Sequence, residues 1–357
     1  MKSRTFLLTI GSALILSACG GGGGGGGSSG GAVGTTPSTP TTPTNPTTPS
    51  DPNTPAPPVS TLTTITSANA VAVASNAYAA TASIGTSSSL TDVLTGVSIQ
   101  RTDTGLVAPV LSMVKRAMAA PRLLTGVVQT QTCSGGGNIA IDATLKSQNM
   151  LSNGDVMKMT ATNCVEDGAT LNGVLNVTFS NISGDVLNSS TWTATLDSVF
   201  SDLALTSGGN VVSFAGDMKI AMTQESASRN TVTITGKSLQ TTDKQNGTVT
   251  TTRTLADYSL KGTTRDGVTT TGDANFKLSG DTASLGKFSF TSQNTANFVS
   301  INDMPANTGA MIVNGNASSV TLTAINDSSV RVDFSAKGDG TVTQSFTLSW
   351  TEFLSKF

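Results

Sequence analysis

The sequence predicts a mainly β (α+β) fold: a large, twisted antiparallel meander with short N-terminal helices packed on one face. Three observations point there. From Leu124 onward apolar residues recur with a period of two, as they do where alternate side chains of a strand face a core. Residue pairs that close tight hairpins punctuate those stretches, and strands joined by such short links are antiparallel. The composition is rich in Thr, Ser, Asn and Gly, which suits exposed strand faces and turns.

Before any strand comes a leader. Lys2 and Arg4 open it, Phe6 to Leu16 is an apolar run, and the small Ser17 and Ala18 close it. This is the layout of a secretory signal peptide over residues 1–18. The run is about half of the roughly 20 apolar residues that a transmembrane helix needs. The stretch Leu16-Ser17-Ala18-Cys19 resembles the lipobox of bacterial lipoproteins. The resemblance implies cleavage before Cys19, a diacylglycerol thioether on its sulfur, and acylation of the new amine. One acyl chain holds a protein to a membrane only marginally, whereas several fix it. Gly20 follows the cysteine. Lipoproteins kept at the inner membrane tend to carry Asp there, so the resemblance implies the outer membrane, with the protein facing the periplasm or the cell surface.

Residues 19–60 read as a tether. Gly20 to Gly34 is a Gly/Ser tract, and Thr35 to Pro58 is a Thr/Pro/Asn run. Neither has apolar side chains enough to offset the entropy of ordering. The first is expected to be a random coil, the second a semi-rigid polyproline II arm of up to roughly 75 Å. The glycines are no phosphate cradle, because no strand precedes them and no Lys-Ser/Thr pair follows.

Residues 61–123 read as helical. In "SANAVAVASNAYAATAS" (67–83) Ser67 can cap a helix, and Val71, Ala74 and Tyr78 share a face. A short helical turn is expected at 89–96. A second helix is expected over 108–121, with Pro109 in its first turn and Pro121 at its end.

Residues 124–357 carry the strands, about twelve by pattern. Leu175, Val177 and Phe179 alternate with polar residues, as do Met218, Ile220 and Met222, and Ala274, Phe276 and Leu278. A glycine stands two residues ahead of each set, at Gly173, Gly216 and Gly272, and a looser copy begins at Asn314-Gly315. Residues 200–222 further parallel 255–278, matching Asp202 with Asp257 and Asp217 with Asp273. This reads as one hairpin unit reused. Hairpin turns are expected at 152–155, 207–210, 245–248, 265–268 and 337–340. The final hairpin is expected to join 330–334 to 341–350.

Cys133 and Cys164 remain in the mature chain. Export places them in an oxidising compartment, where they are expected to pair in a structural disulfide. Their spacing does not resemble the C-x-x-C of redox-active pairs.

Composition excludes more than it suggests. There is no histidine, which removes Ser-His-Asp and Cys-His catalysis as well as His-ligated zinc and haem. The net charge is −2, and −4 once Lys2 and Arg4 leave, so no basic patch marks a nucleic-acid partner. No stretch fits a calcium loop, and the Asp-Gly pairs at 167–168, 266–267 and 339–340 are read as turns. No cofactor or metal is expected. The matched aspartates are read as serving the repeat rather than as a glycosidase pair, which needs acids about 5–9.5 Å apart.

The reading that follows is a non-catalytic outer-membrane lipoprotein. Cys19 attaches it to the membrane, and a tethered β domain binds or scaffolds a cell-envelope component. An alternative is a carrier of an apolar, lipid-like ligand in a curved-sheet cavity lined by Phe179, Met218, Met222, Phe276 and Leu278. A surface adhesin is a further alternative.

Overall fold

The computed structural model describes residues 62–84, 114, 126–147, 150–166, 169–186, 189–266, 268–302 and 304–356. The leader, Cys19, the tether, the turn at 89–96 and the 108–121 helix apart from Val114 lie outside these residues. Val114 itself is helical and buried.

The fold is mainly β, in one antiparallel sheet of 14 strands. The first seven are β1 (Gln129–Thr132), β2 (Asn138–Thr144), β3 (Val156–Glu166), β4 (Ala169–Ser183), β5 (Trp192–Ser207), β6 (Asn210–Ser226) and β7 (Arg229–Gln245). The rest are β8 (Thr248–Arg265), β9 (Thr269–Thr282), β10 (Gly286–Ile301), β11 (Thr308–Gly315), β12 (Ser318–Asn326), β13 (Ser329–Ser335) and β14 (Gln344–Ser349). Each strand pairs only with its neighbours in sequence. β1 and β14 are therefore edges, and the sheet does not close into a barrel. Among the described residues, α1 (Ala70–Ile84) precedes it in sequence and α2 (Trp350–Leu354) follows it.

The period-two segments lie where the pattern predicts, with Leu175, Val177, Phe179, Ile220, Phe276 and Leu278 all at or below 1% exposure. Turn chemistry sets the links. Gly208-Gly209 joins β5 to β6 and Asn246-Gly247 joins β7 to β8, each with both residues at positive φ. That is the requirement of a type I′ turn.

The helix differs in detail from its sequence pattern. The first helical hydrogen bond runs from Val73 N to Asn69 O, so Asn69 rather than Ser67 is the cap. Its Oδ1 reaches back to accept from Thr66 N at 2.8 Å. The expected face of Val71, Ala74 and Tyr78 is only part of what is covered. Ala70, Val73, Ala74, Ser75, Asn76, Ala77 and Ala80 are all buried. A helix covered on most sides belongs inside a fold, and its alanines permit close approach. Its polar residues find partners. Ser75 Oγ donates to Phe353 O at 2.8 Å, and Asn76 Oδ1 accepts from Arg253 Nη2 at 3.2 Å. α1 packs against β9, β11, β12, β13 and α2.

α2 does not follow from the strand pattern, yet its start is written as Ser349-Trp350-Thr351-Glu352. Ser349 Oγ accepts from Glu352 N at 3.1 Å, the first half of a capping box. Trp350 is buried and its Nε1 donates to Asn326 O at 3.0 Å.

A row of irregularities crosses the sheet. Pairing slips beside Asn163 in β3, Gly173 in β4, Asp202 in β5, Asp217 in β6, Asp257 in β8, residues 294–297 in β10 and Gly309 in β11. Such bulges bend strands and re-aim side chains. Aligned across adjacent strands, they divide the long strands at a common level.

Candidate functional site

The repeated residues of the sequence sit on that row. Asp202 and Asp257 hold φ of 49° and 46°, and Gly173 and Gly216 hold φ of 113° and 127°. Gly315 is different, lying at the β11–β12 turn. The reused unit is thus a hairpin with a bulge in it. β5–β6 and β8–β9 lie three strands apart in an antiparallel sheet, so the two copies run in opposite directions.

The aspartates fasten the bulges. The Asp217 carboxylate accepts from Lys237 N at 2.8 Å and Ser238 N at 2.9 Å. Tyr258 Oη donates to Asp217 O at 2.6 Å, lying over Gly236 where a Cβ would meet its ring. Burial pushes the Tyr258 hydroxyl well above its ordinary pKa, and the Asp217 charge adds to this. Asp257 accepts from Lys277 Nζ at 2.9 Å, with Lys237 Nζ at 3.8 Å, and the Lys277 hydrogen bond draws its carboxyl below the ordinary range. Asp217 and Asp273 stand three strands apart, as do Asp202 and Asp257. Three strand spacings amount to roughly 14 Å, beyond the reach of a glycosidase pair.

Cys133 and Cys164 are disulfide-bonded, with Cα atoms 5.4 Å apart. The bond fastens the β1–β2 hairpin to β3 beside the Asn163 bulge. Around it Gly135 N donates to Val165 O, and Val165 N to Gly136 O, at 2.9 Å each.

Phe179, Met218, Met222, Phe276 and Leu278 belong to the packed core, none more than 5% exposed. None of them lines the cleft found beside α1 among the described residues. That cleft, of about 90 Å³, lies between α1 and strands β8 to β11. Tyr78, Phe298, Leu260 and Met311 supply its apolar wall, and Thr270, Asp273, Asn294 and Ser300 its polar one. Tyr78 meets Phe298 edge-on at 5.3 Å and Trp350 at 5.0 Å. Burial pushes its hydroxyl pKa up to about 12. Asn294 Nδ2 donates to Gly272 O at 3.1 Å, while its Oδ1 is buried with no partner among the described residues.

Sequence reasoning reached part of this cleft. It placed Tyr78 on a helix face and singled out Gly272 and Asp273, but as repeat positions. Asn294 and Phe298 were missed. Asn294 lies within the irregular stretch of β10 and Phe298 at its end, where no period survives to be read.

On the outer face one rung aligns threonines strand after strand. Thr193 pairs with Thr223, Thr223 with Thr231, Thr231 with Thr263, and Thr263 with Thr271. The Oγ1 atoms of Thr231 and Thr263 are 3.3 Å apart. Elsewhere on that face Lys219 and Asp197 pair at 3.3 Å.

Among the described residues no helix is long and apolar enough to cross a membrane, and no group of three or more acidic or cysteine side chains could hold a metal. Compared with known proteins, the chain matches no family model, no curated sequence and no solved structure.

Proposed function

We propose that this protein is a non-catalytic outer-membrane lipoprotein, held through a lipidated Cys19, whose β domain binds or scaffolds a component of the cell envelope. The observation that carries this reading is Leu16-Ser17-Ala18-Cys19, placed after a signal-like leader and before a Gly/Ser and Thr/Pro tract. A disulfide suits an exported domain, since such bonds persist in oxidising compartments. The outer sheet face, with its threonine rung and compensated ion pairs, suits polar contact with an envelope partner. The carrier alternative draws no support from the five residues nominated for it, because they lie buried in the core. An adhesin would use the same anchor with the domain outside the cell, where protease added to intact cells would remove it.

The test is metabolic labelling with a clickable palmitate, followed by membrane fractionation. The wild-type chain is expected to take up label and sediment with outer membranes. Cys19→Ala is expected to lose the label and move to the soluble fraction. An unlabelled wild type, or a Cys19→Ala protein that still sediments, overturns the reading.

A further inference from the structure

A sheet edge offers backbone N–H and C=O groups to any strand that can pair with them. Proteins guard such edges with charge, proline, bulges, short strands or a covering segment. The two edges here differ. β1 is four residues long, and its Gln129, Gln131 and Thr132 have partners of their own. β14 is Gln344-Ser345-Phe346-Thr347-Leu348-Ser349, with neither charge nor proline. It pairs with β13 along its whole length without a register shift, so no bulge turns it away.

Both ends of β14 turn inward. The loop before it folds back over the β11–β12 turn, where a Cβ on Gly338 would lie 3.1 Å from Ser318 N. After it, Trp350 N donates to Ser328 O at 3.2 Å and Trp350 Nε1 to Asn326 O at 3.0 Å, drawing α2 toward the β12–β13 turn. The edge between stays uncovered. Gln344, Ser345, Thr347 and Ser349 are exposed, and Phe346 and Leu348 are only half-buried although they pack against the core.

The Trp350–Ser328 hydrogen bond fixes which backbone groups are open. Residues bonded to a given neighbour alternate along an antiparallel strand. Leu348 and Phe346 therefore turn their backbone groups toward β13, and Ser345, Thr347 and Ser349 turn theirs outward. These three positions are symmetric about Thr347, and so are Phe346 and Leu348. A second β14, laid antiparallel with Thr347 opposite Thr347, satisfies all of them. Ser345 then pairs with Ser349 of the second copy. Phe346 stands across from Leu348 of the second copy on the core face, in the kind of pair whose side chains lie closest. No like charges meet. Arg331 pairs with Thr347 on β13, so it stands three strand spacings, roughly 14 Å, from its counterpart. This two-fold pairing closes on itself, whereas β14 laid on β1 of another copy would propagate into filaments.

We propose that β14 is an interaction surface for a second copy of this chain, the two sheets joining antiparallel about Thr347. Six residues a side fall short of the roughly 20–30 of a standard interface, so the dimer is reversible. The surface stands independently of the anchor, and failure to lipidate Cys19 leaves it untouched.

The experiment is mild copper oxidation of the purified full chain in detergent micelles, with the crosslink located by mass spectrometry. Thr347→Cys is expected to form a disulfide-linked dimer through position 347, because opposed Cα atoms in such a pair lie about 5.5 Å apart, within disulfide reach. Ser345→Cys is expected to stay unlinked, since two 345 positions would stand about 14 Å apart. Both residues are exposed, so neither change removes a core contact. Sedimentation velocity of the uncrosslinked wild type is expected to show a dimer that grows with concentration. Thr347→Lys, which opposes two charges on the axis, is expected to weaken that association at least tenfold. Absence of the 347 link, linking at 345 as readily as at 347, linking of 347 only to a different protein, or an undiminished dimer in Thr347→Lys would each overturn the proposal.

Discussion

The same substitution at two strand glycines is expected to have opposite effects. Gly216 in β6 holds φ +127°, and a Cβ built there would overlap the Ser238 carbonyl oxygen and press the Leu239 Cα at 3.1 Å. Gly216→Ala must therefore enter a backbone region that L residues avoid, at about 1–3 kcal/mol. It must also push β7 away at the Gly216–Leu239 pair, losing a ladder hydrogen bond of about 0.5–1.5 kcal/mol. Against this stands about 0.4–1 kcal/mol from a stiffer unfolded chain. The net is a loss of about 2 kcal/mol, within a span of about 0.5–4. Gly272→Ala meets only Phe298 O at 3.9 Å, so the unfolded-state gain stands alone, at about 0.4–1 kcal/mol of stabilisation. Urea unfolding of the oxidised protein, with the slope held common to both variants, measures each change. Equal effects at the two sites, or a Gly216→Ala protein as stable as wild type, would refute the assignment of Gly216 to backbone crowding and of Gly272 to empty space.

Other consequences can be measured in the same assay. Reducing Cys133–Cys164 frees a loop spanned by 31 positions and is expected to cost on the order of 3–4 kcal/mol, with a steeper urea slope as the unfolded chain expands. Tyr258→Phe removes the hydroxyl that donates to Asp217 O and is expected to cost about 0.5–1.5 kcal/mol. Backbone hydrogen bonds hold the Asp266 and Asp339 carboxyls below their ordinary range, and Lys277 does so for Asp257. Their contributions are present above the unfolded carboxyl pKa of about 3.9 and are lost as pH falls through the lower folded values. Burial raises Asp243 despite Arg253, so it acts in the opposite sense, favouring the fold at low pH and losing that contribution as pH rises. The urea midpoint is expected to fall on acidification below about pH 4; the offsetting rise that Asp243 contributes on acidification just above that pH is expected to be lost in Asp243→Asn. An unchanged slope in that variant would contradict the sign assigned to Asp243.

Much of the fold was legible because one physical rule, alternate burial along a strand, acts on nearly every segment. Leu175, Val177 and Phe179 follow it, and so do Ala274, Phe276 and Leu278. Turn pairs such as Asn246-Gly247 were legible because positive φ at two successive positions admits few residues. The strand count fell short where turns use ordinary residues, as at Ala227-Ser228 between β6 and β7, or Ala317 at φ 47° between β11 and β12. α2 was hidden because five residues show no period, and only its Ser-x-x-Glu start betrays it. The carrier residues were nominated from the same alternation that marks the core. A pattern that reports burial does not say whether the buried face meets protein or a guest.

The repeat had two meanings that the sequence alone could not separate. Asp217 and Asp273 occupy matching places, yet Asp217 satisfies two backbone N–H groups at the bulge, while Asp273 has no partner among the described residues and stands exposed on the outer face. Gly216 and Gly272 diverge in the same way, one crowded by Ser238 and the other facing open space. A motif copied for architecture keeps its residues where architecture needs them. In the β8–β9 copy the neighbouring irregularity has moved to β10, where residues 294–297 have no partner on β9, so β9 no longer needs a glycine for close approach. What Gly272 still provides is open volume beside Tyr78 and Phe298. If alanine at Gly272 stabilises the chain in the urea assay, the glycine is a relic of the repeat.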